Sequence, residues 1–439
     1  MKKTIAFVLA AALCGTMFGC QGTSGSSTAA SKSASQAGAS SAAKPVEITV
    51  VTSYGGDDGN RANYEAAYKA YEKATGNTVK DASGTSNEEW KSKIMADFET
   101  GAEPDVLFYF NGVDSNKLVQ GGKVIGIDEI RKKYPDYAAN MKDDLMGASP
   151  VDGKDYSVPV NGYWEGLYVN KKVLKDCGVE VPGKSYTWDQ FRKDCETIKG
   201  KGYSPIACSL QEVPHYWFEF CVLNHGTVAN HAKIPASSSD EAGKAWTAGL
   251  NDIKSLYEKG CFPKNTTTAK DAETFQLMAD NKAAFAIDGS WKIGWFQQNA
   301  KNLDNYTVTY VPAENQRKAT DIIGGISMGY YITKKAWDDS TKQKACVDFV
   351  KAMTTDDVVA KFGATAVTAL KNGVKTPSNA DSLTKAAITM VSGMSGIAPA
   401  AQDGLNQTAR NDLFANVKNI VTGKITADKA VDKCLAIKG

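Results

Sequence analysis

The sequence predicts an α/β protein in which mainly parallel sheets are covered by helices. Two observations carry this. Short β-branched or apolar runs alternate with amphipathic stretches, and the alternation begins again after residue 160. The chain of 439 residues is also long enough for two domains.

In order, VEITVVTSY (46–54) reads as a buried strand. NRANYEAAYKAYEKATG places Tyr64, Ala67, Tyr68, Tyr71 and Ala74 on one helical face and stops at Gly76. TSNEEWKSKIMADFETG has Ser86 and Glu89 at capping-box spacing, then Trp90, Ile94 and Phe98 on one stripe. PDVLFYF is a second strand. After residue 160, YTWDQFRKDCETIKG repeats the capping spacing at Thr187 and Gln190. The stretches EAGKAWTAGLNDIKSLYEKG and DAETFQLMADN read as helices, FAIDG as a strand, and NYTVTYVP and IIGGISMGYYIT as further strands. The portion from about Asp339 reads mostly as helices.

The first twenty residues join Lys2 and Lys3 to an apolar stretch from Ile5 to Phe18, too short for a membrane span of ~20 apolar residues. They read as an export signal. Met17-Phe18-Gly19-Cys20 resembles a bacterial lipobox, with Phe18 as its departure, so Cys20 is the expected lipidation site. Residues 21–44 are small, polar and aperiodic, a flexible tether that would hold the folded part outside a membrane. The 51 basic residues, two of them in the leader, face 49 acidic ones, and this balance gives no support for a nucleic-acid partner. Seven cysteines follow Cys20 without a CxxC pair. Cys195–Cys208 and Cys221–Cys261 are conceivable disulfides; small buried thiols are the other reading.

Several stretches, in order, resemble the carbohydrate-type extracellular solute-binding proteins of ABC importers, the family of maltose-binding proteins. They are YEKATGNTV, GAEPDVLFY, VDGKDYSVPV with GLYVNKKVLKDCGVEVP, YTWDQF, FQLMADNKAAFAIDGSW (with Asn281 where glycine is common) and IIGGISMGYYIT. The resemblance covers most of residues 46–365. It implies two lobes joined by crossing strands, with a ligand between them. Lobe one would take residues 45–160 and 313–365, and lobe two 161–312 and 366–439. The crossings are expected near Val158–Glu165 and Val308–Pro312. A sugar or oligosaccharide ligand, permease subunits with a separate ATPase, a monomeric state and no cofactor follow from the same resemblance. No GxxxxGK[ST] pattern occurs, in line with an ATPase on another chain.

Ligands of open α/β sheets collect beyond the carboxyl ends of strands. That rule selects Tyr54 and Asp57 after the first strand, Asn87 and Glu88 at the second helix start, and Asn111 and Asp114 after the third strand. Trp164 and Glu165 lie beside Tyr163 at the expected crossing, and Asp288 and Trp291 end the FAIDG strand. Trp217 and Gly324 complete the set. Aromatic faces and carboxylates suit a pyranose, whose C–H faces stack and whose hydroxyls need acceptors. Trp295 is expected in the core, one helical turn beyond Trp291. A non-sugar solute such as a polyamine is the alternative guest, the acids and aromatics then forming a cation cage. An anchored glycosidase with two carboxylates is a further reading. Metal capture by His215, His225 and His231 is another, though their spacing favours structural histidines.

Overall fold

The computed structural model describes residues 44–56, 58–363, 367–375 and 377–438, so Cys20, the leader, nearly all of the tether and Asp57 lie outside the described residues. Four chain segments alternate between two lobes. The first carries β1 (Glu47–Val51), α1 (Arg61–Thr75), β2 (Thr78–Asp81), α2 (Glu88–Glu99), β3 (Val106–Phe110), α3 (Asn116–Gln120), α4 (Ile127–Lys133) and the hairpin β4 (Gly147–Ala148) to β5 (Asp155–Ser157). The second carries β6 (Tyr163–Asn170), α5 (Lys171–Cys177), α6 (Trp188–Gly200), β7 (Ser204–Ile206), α7 (His215–Asn224), α8 (Glu241–Glu258), α9 (Asp271–Ala279), β8 (Ala283–Gly289), α10 (Lys292–Asn299), β9 (Tyr306–Thr309) and β10 (Asp321–Gly325). The third returns through β11 (Met328–Ile332), α11 (Lys334–Asp338), α12 (Gln343–Met353) and α13 (Asp356–Gly363). The fourth is α14 (Ser382–Ser392), β12 (Gly396–Ala398), α15 (Gln407–Val421) and α16 (Ala427–Leu435).

Lobe one is built on a sheet of order β11-β3-β1-β2, parallel except for β11. Helix α1 buries Tyr64 and Tyr71 against it and ends at Gly76, whose left-handed φ of 75° suits glycine. Helix α2 starts one residue later than the Ser86/Glu89 spacing predicts. Asn87 is its cap, the side chain accepting from Trp90 N at 2.8 Å, and Glu88 and Glu89 occupy the electropositive first turn. Thr187 does cap α6, accepting from Gln190 N at 3.2 Å, while the Gln190 side chain turns away to Asp194.

Lobe two has six strands in the order β12-β10-β6-β8-β7, with β9 also on β6. Its sheet is mixed rather than mainly parallel. Strand β6 enters from lobe one and runs antiparallel to β8, β9 and β10, whereas only β7–β8 and β10–β12 are parallel. Side-chain alternation along β6 divides two cores: Leu167 and Val169 face the α6–α7–α8 side, and Trp164 and Tyr168 face the α9–α10–α14 side.

The stretch IIGGISMGYYIT is two strands, not one. Residues through Gly325 pair with β6 in lobe two, and Met328–Ile332 pair with β3 in lobe one. The return crossing is therefore at 326–327 rather than near Val308–Pro312, and residues 313–325 stay with lobe two. Lobe one also continues past 365, since Leu370 bridges Met141 and sits in its core. The crossings converge at Gly162, whose N–H donates to Val367 O at 2.5 Å. A Cβ there would lie 2.5 Å from Gly325 O and 2.7 Å from Val367 O, so only glycine fits.

The seven cysteines of the described residues are all free and buried, so the paired reading gives way to small buried thiols. Among the described residues no helix is long and apolar enough to cross a membrane.

Candidate functional site between the lobes

The lobes meet along two edges. At the first, Arg410 of α15 reaches from lobe two into lobe one. Its Nη2 lies 2.5 Å from Asp114 Oδ1 and its Nε 3.4 Å from Glu88 Oε1. Lys91 completes the group, 3.0 Å from Asp114 Oδ2 and 3.1 Å from Glu88 Oε1. Gln407, one helical turn before Arg410, donates to Glu88 O at 3.3 Å and to Ser92 Oγ at 3.1 Å. Burial pushes Asp114 up, but Lys91 and Arg410 outweigh it and hold the carboxyl below its ordinary value of 3.8. This edge is an ion-pair contact between lobes, with Arg410 Nε and Nη1 and Glu88 Oε2 left without a hydrogen-bond partner.

The second edge is aromatic and acidic. Trp291 is half-buried at the start of α10, its ring centroid 5.9 Å from Tyr216 and 6.3 Å from Tyr163. Its carbonyl approaches Gly59 of lobe one so closely that a Cβ on Gly59 would lie 2.4 Å away. Asp288 ends β8 beneath it, accepting from Gly289 N at 2.7 Å, with Lys292 at 3.5 Å. Burial lifts Asp288 to about 7, against the pull of Lys292. Across the gap in lobe one, burial lifts Asp58 to about 6, with Lys292 again opposing.

Between the edges lie Glu165, Glu219, Gln402 and Asp403. Glu165 and Glu219 are neighbouring buried acids, and Glu165 Oε2 and Glu219 Oε2 have no hydrogen-bond partner. Gln402 Nε2 donates to Glu219 Oε1 at 2.5 Å, while Gln402 Oε1 has no donor. Burial raises Glu165 well above the carboxylate range, helped by the Glu219 charge, and lifts Glu219 to about 8. Asp403 rises to about 6 by burial, restrained by Lys91 and Arg410.

Of the residues selected from sequence, Glu88, Asp114, Glu165, Asp288 and Trp291 fall on this interface. Asn111 borders it, accepting from Ser157 Oγ at 2.6 Å and Tyr331 OH at 2.8 Å. Others belong elsewhere. Tyr54 packs among Tyr64, Phe108 and Phe362 in the core of lobe one. Asn87 is spent as a helix cap. Trp164 is sealed because strand alternation turns it away from Tyr163 and Glu165, onto Tyr168. Trp217 sits against Phe191 and Phe262 in an apolar helix. Gly324 serves backbone packing: a Cβ there would be 2.6 Å from Tyr163 O. Trp295 packs edge-on to Phe275 in the core, as expected.

Sequence reasoning missed Asp58, Lys91, Tyr216, Glu219, Lys292, Gln402, Asp403, Gln407 and Arg410. Glu219 carried a signal, being the one acid in the apolar run HYWFEFCVLN. Arg410 carried none, because its partners stand some 300 positions upstream in lobe one.

Two α/β lobes, three chain crossings and a polar, aromatic seam between them define a hinged clamp for a ligand. The chain belongs to the bacterial extracellular solute-binding protein family, which it matches over residues 57–360. It is 25% identical over 233 residues to the multiple sugar-binding protein of Streptococcus mutans, a match spanning 52% of this chain and 53% of that protein. Similarity to the maltooligosaccharide ABC transporter solute-binding lipoprotein of Streptococcus pneumoniae is 25% over 337 residues, 75% of this chain and 74% of the other. A chitin oligosaccharide binding protein shares the fold with a TM-score of 0.77 at 24% identity, over 89% of this chain and 97% of that one.

Proposed function

We propose that this protein is the sugar receptor of an ABC importer. It captures a sugar or oligosaccharide between its lobes and hands it to a membrane permease driven by a separate ATPase. The half-exposed Trp291, flanked by Tyr163 and Tyr216 and set beside Asp288, is the observation that carries this reading. Aromatic faces stack on the C–H surfaces of a pyranose, and nearby carboxyls accept from its hydroxyls. The sugar-binding relatives support the same ligand class.

Closure is part of the function. Arg410 and Gln407 bridge to lobe one only when the lobes are together, so the ion-pair edge favours the closed form that a ligand stabilises. Anchoring to the outer face of the cell membrane through Cys20 completes the proposal.

Calorimetry with neutral oligosaccharides tests it. Saturable binding that is weakened about thirtyfold in Trp291→Ala is expected. Failure of every mono- and oligosaccharide to bind or to raise the melting temperature would sink the reading.

A further inference from the structure

We propose that His225, Asp252 and Glu314 form a site for a divalent transition cation, zinc being the best match. One ligand atom from each residue lies within 4.8 Å of the other two. The donors come from three places: His225 directly follows α7, Asp252 lies on α8, and Glu314 is in the loop between β9 and β10. One imidazole and two carboxylates are a donor set that zinc accepts, with a fourth position left for water. All three side chains are partly exposed, which gives an ion and its water a way in.

The surroundings hold the donors in place. Glu314 N donates to Asn224 Oδ1 at 3.2 Å, and Asn315 Nδ2 donates to Asn224 O at 3.0 Å, so the loop is laced to the buried end of α7. Asn315 adopts a left-handed φ of 56° to make that turn. Arg192 fixes one Glu314 oxygen at 2.9 Å. His225 Nε2 is 2.7 Å from Asp252 Oδ2, with a proton between them. A metal ion would replace that proton. With the ion on Nε2, Nδ1 carries hydrogen, and the Asn315 amide, 3.4 Å away, must turn its oxygen toward the ring and give up its bond to Asn224 O, leaving Glu314 N on Asn224 Oδ1 to hold the loop. His215 and His231 take no part; His215 packs on Tyr216 and Phe414, and His231 is buried.

The bound ion would pin the loop that feeds β10 and so stiffen lobe two near the crossing. Zinc titration of the whole protein by calorimetry should give one equivalent bound and a higher melting temperature. His225→Gln and Glu314→Gln should each weaken binding at least about tenfold, with Asp252→Asn as the second reading if His225→Gln does not fold. Cobalt substitution should give d–d bands without thiolate charge transfer, since the seven cysteines are not donors. The proposal is overturned by absence of binding up to about 100-fold excess zinc, by unchanged binding in all three variants, or by a thiolate band. Sugar binding by the same variants is read separately, so failure here and failure of the receptor reading are distinguishable.

Discussion

Asp114 and Glu219 are both buried acids at the seam between the lobes, yet they are pushed in opposite directions. Asp114 has Lys91 and Arg410 on its two oxygens and is held ionised. Glu219 has a second carboxyl and an amide, and burial dominates, lifting it to about 8. Burial alone does not set the charge of an interface acid; the presence of a cation within hydrogen-bonding reach does. The first edge is consequently held by ion pairs between lobes, while the acids between the edges have no cation and keep acceptors left over, with Gln402 Oε1 lacking any donor.

That contrast can be broken most strongly at Arg410. Arg410→Ala removes one of the two cations on Asp114 and should cost about 3 kcal/mol of closed-state stability, close to a hundredfold in sugar affinity. Calorimetry and small-angle scattering check it, and unchanged affinity would show that the lock does not contribute to closure. On the aromatic edge, Trp291→Ala should cost about 2 kcal/mol of binding, roughly thirtyfold, with little change in melting temperature because the ring is half-exposed. Equal losses of binding and stability would instead make Trp291 a core residue.

The two acids also predict opposite pH signatures. Glu219 has a folded pKa of about 8 against an ordinary 4.5, so between those values the folded state holds more protons than the unfolded one. Stability should therefore fall as pH rises through that window, by up to about 1.4 kcal/mol per pH unit. Glu219→Gln should flatten the slope in denaturant melts taken at stepped pH. Asp114, held below 3.8, does the reverse: its contribution is present above that value and is lost on acidification. The smallest effect concerns α2. Asn87→Ala should cost about 1 kcal/mol as loss of a cap, and Ser86→Ala should cost less than about 0.5. A larger loss at Ser86 would restore the capping box read from sequence.

Much of the fold was legible because hydrophobic period and capping are local. The strands before Tyr54 and Asn111, the stop at Gly76 and the Thr187 cap all follow from a few neighbouring residues. The split of IIGGISMGYYIT was not legible, since both halves have strand-like composition and only their partners, β6 and β3, differ. The site divided the same way. Trp291 and Asp288, picked where a strand ends, lie at the seam between the lobes, but Trp164 was misplaced by one residue of alternation, which moves a side chain to the other face of a sheet. Arg410 depends wholly on which lobe comes to face α15, a tertiary fact with no local trace.

The break between β10 and β11 limits how the molecule can move. Only Ile326 and Ser327 lie between the two strands, Ser327 O already accepting from Asn111 N at 2.7 Å, and two extended residues span no more than about 7 Å. Each end is knotted into a different sheet, so the halves cannot drift apart in parallel. They can only swing about that short tether, and any widening at the far rim is repaid as twist in two or three peptide units beside Gly162.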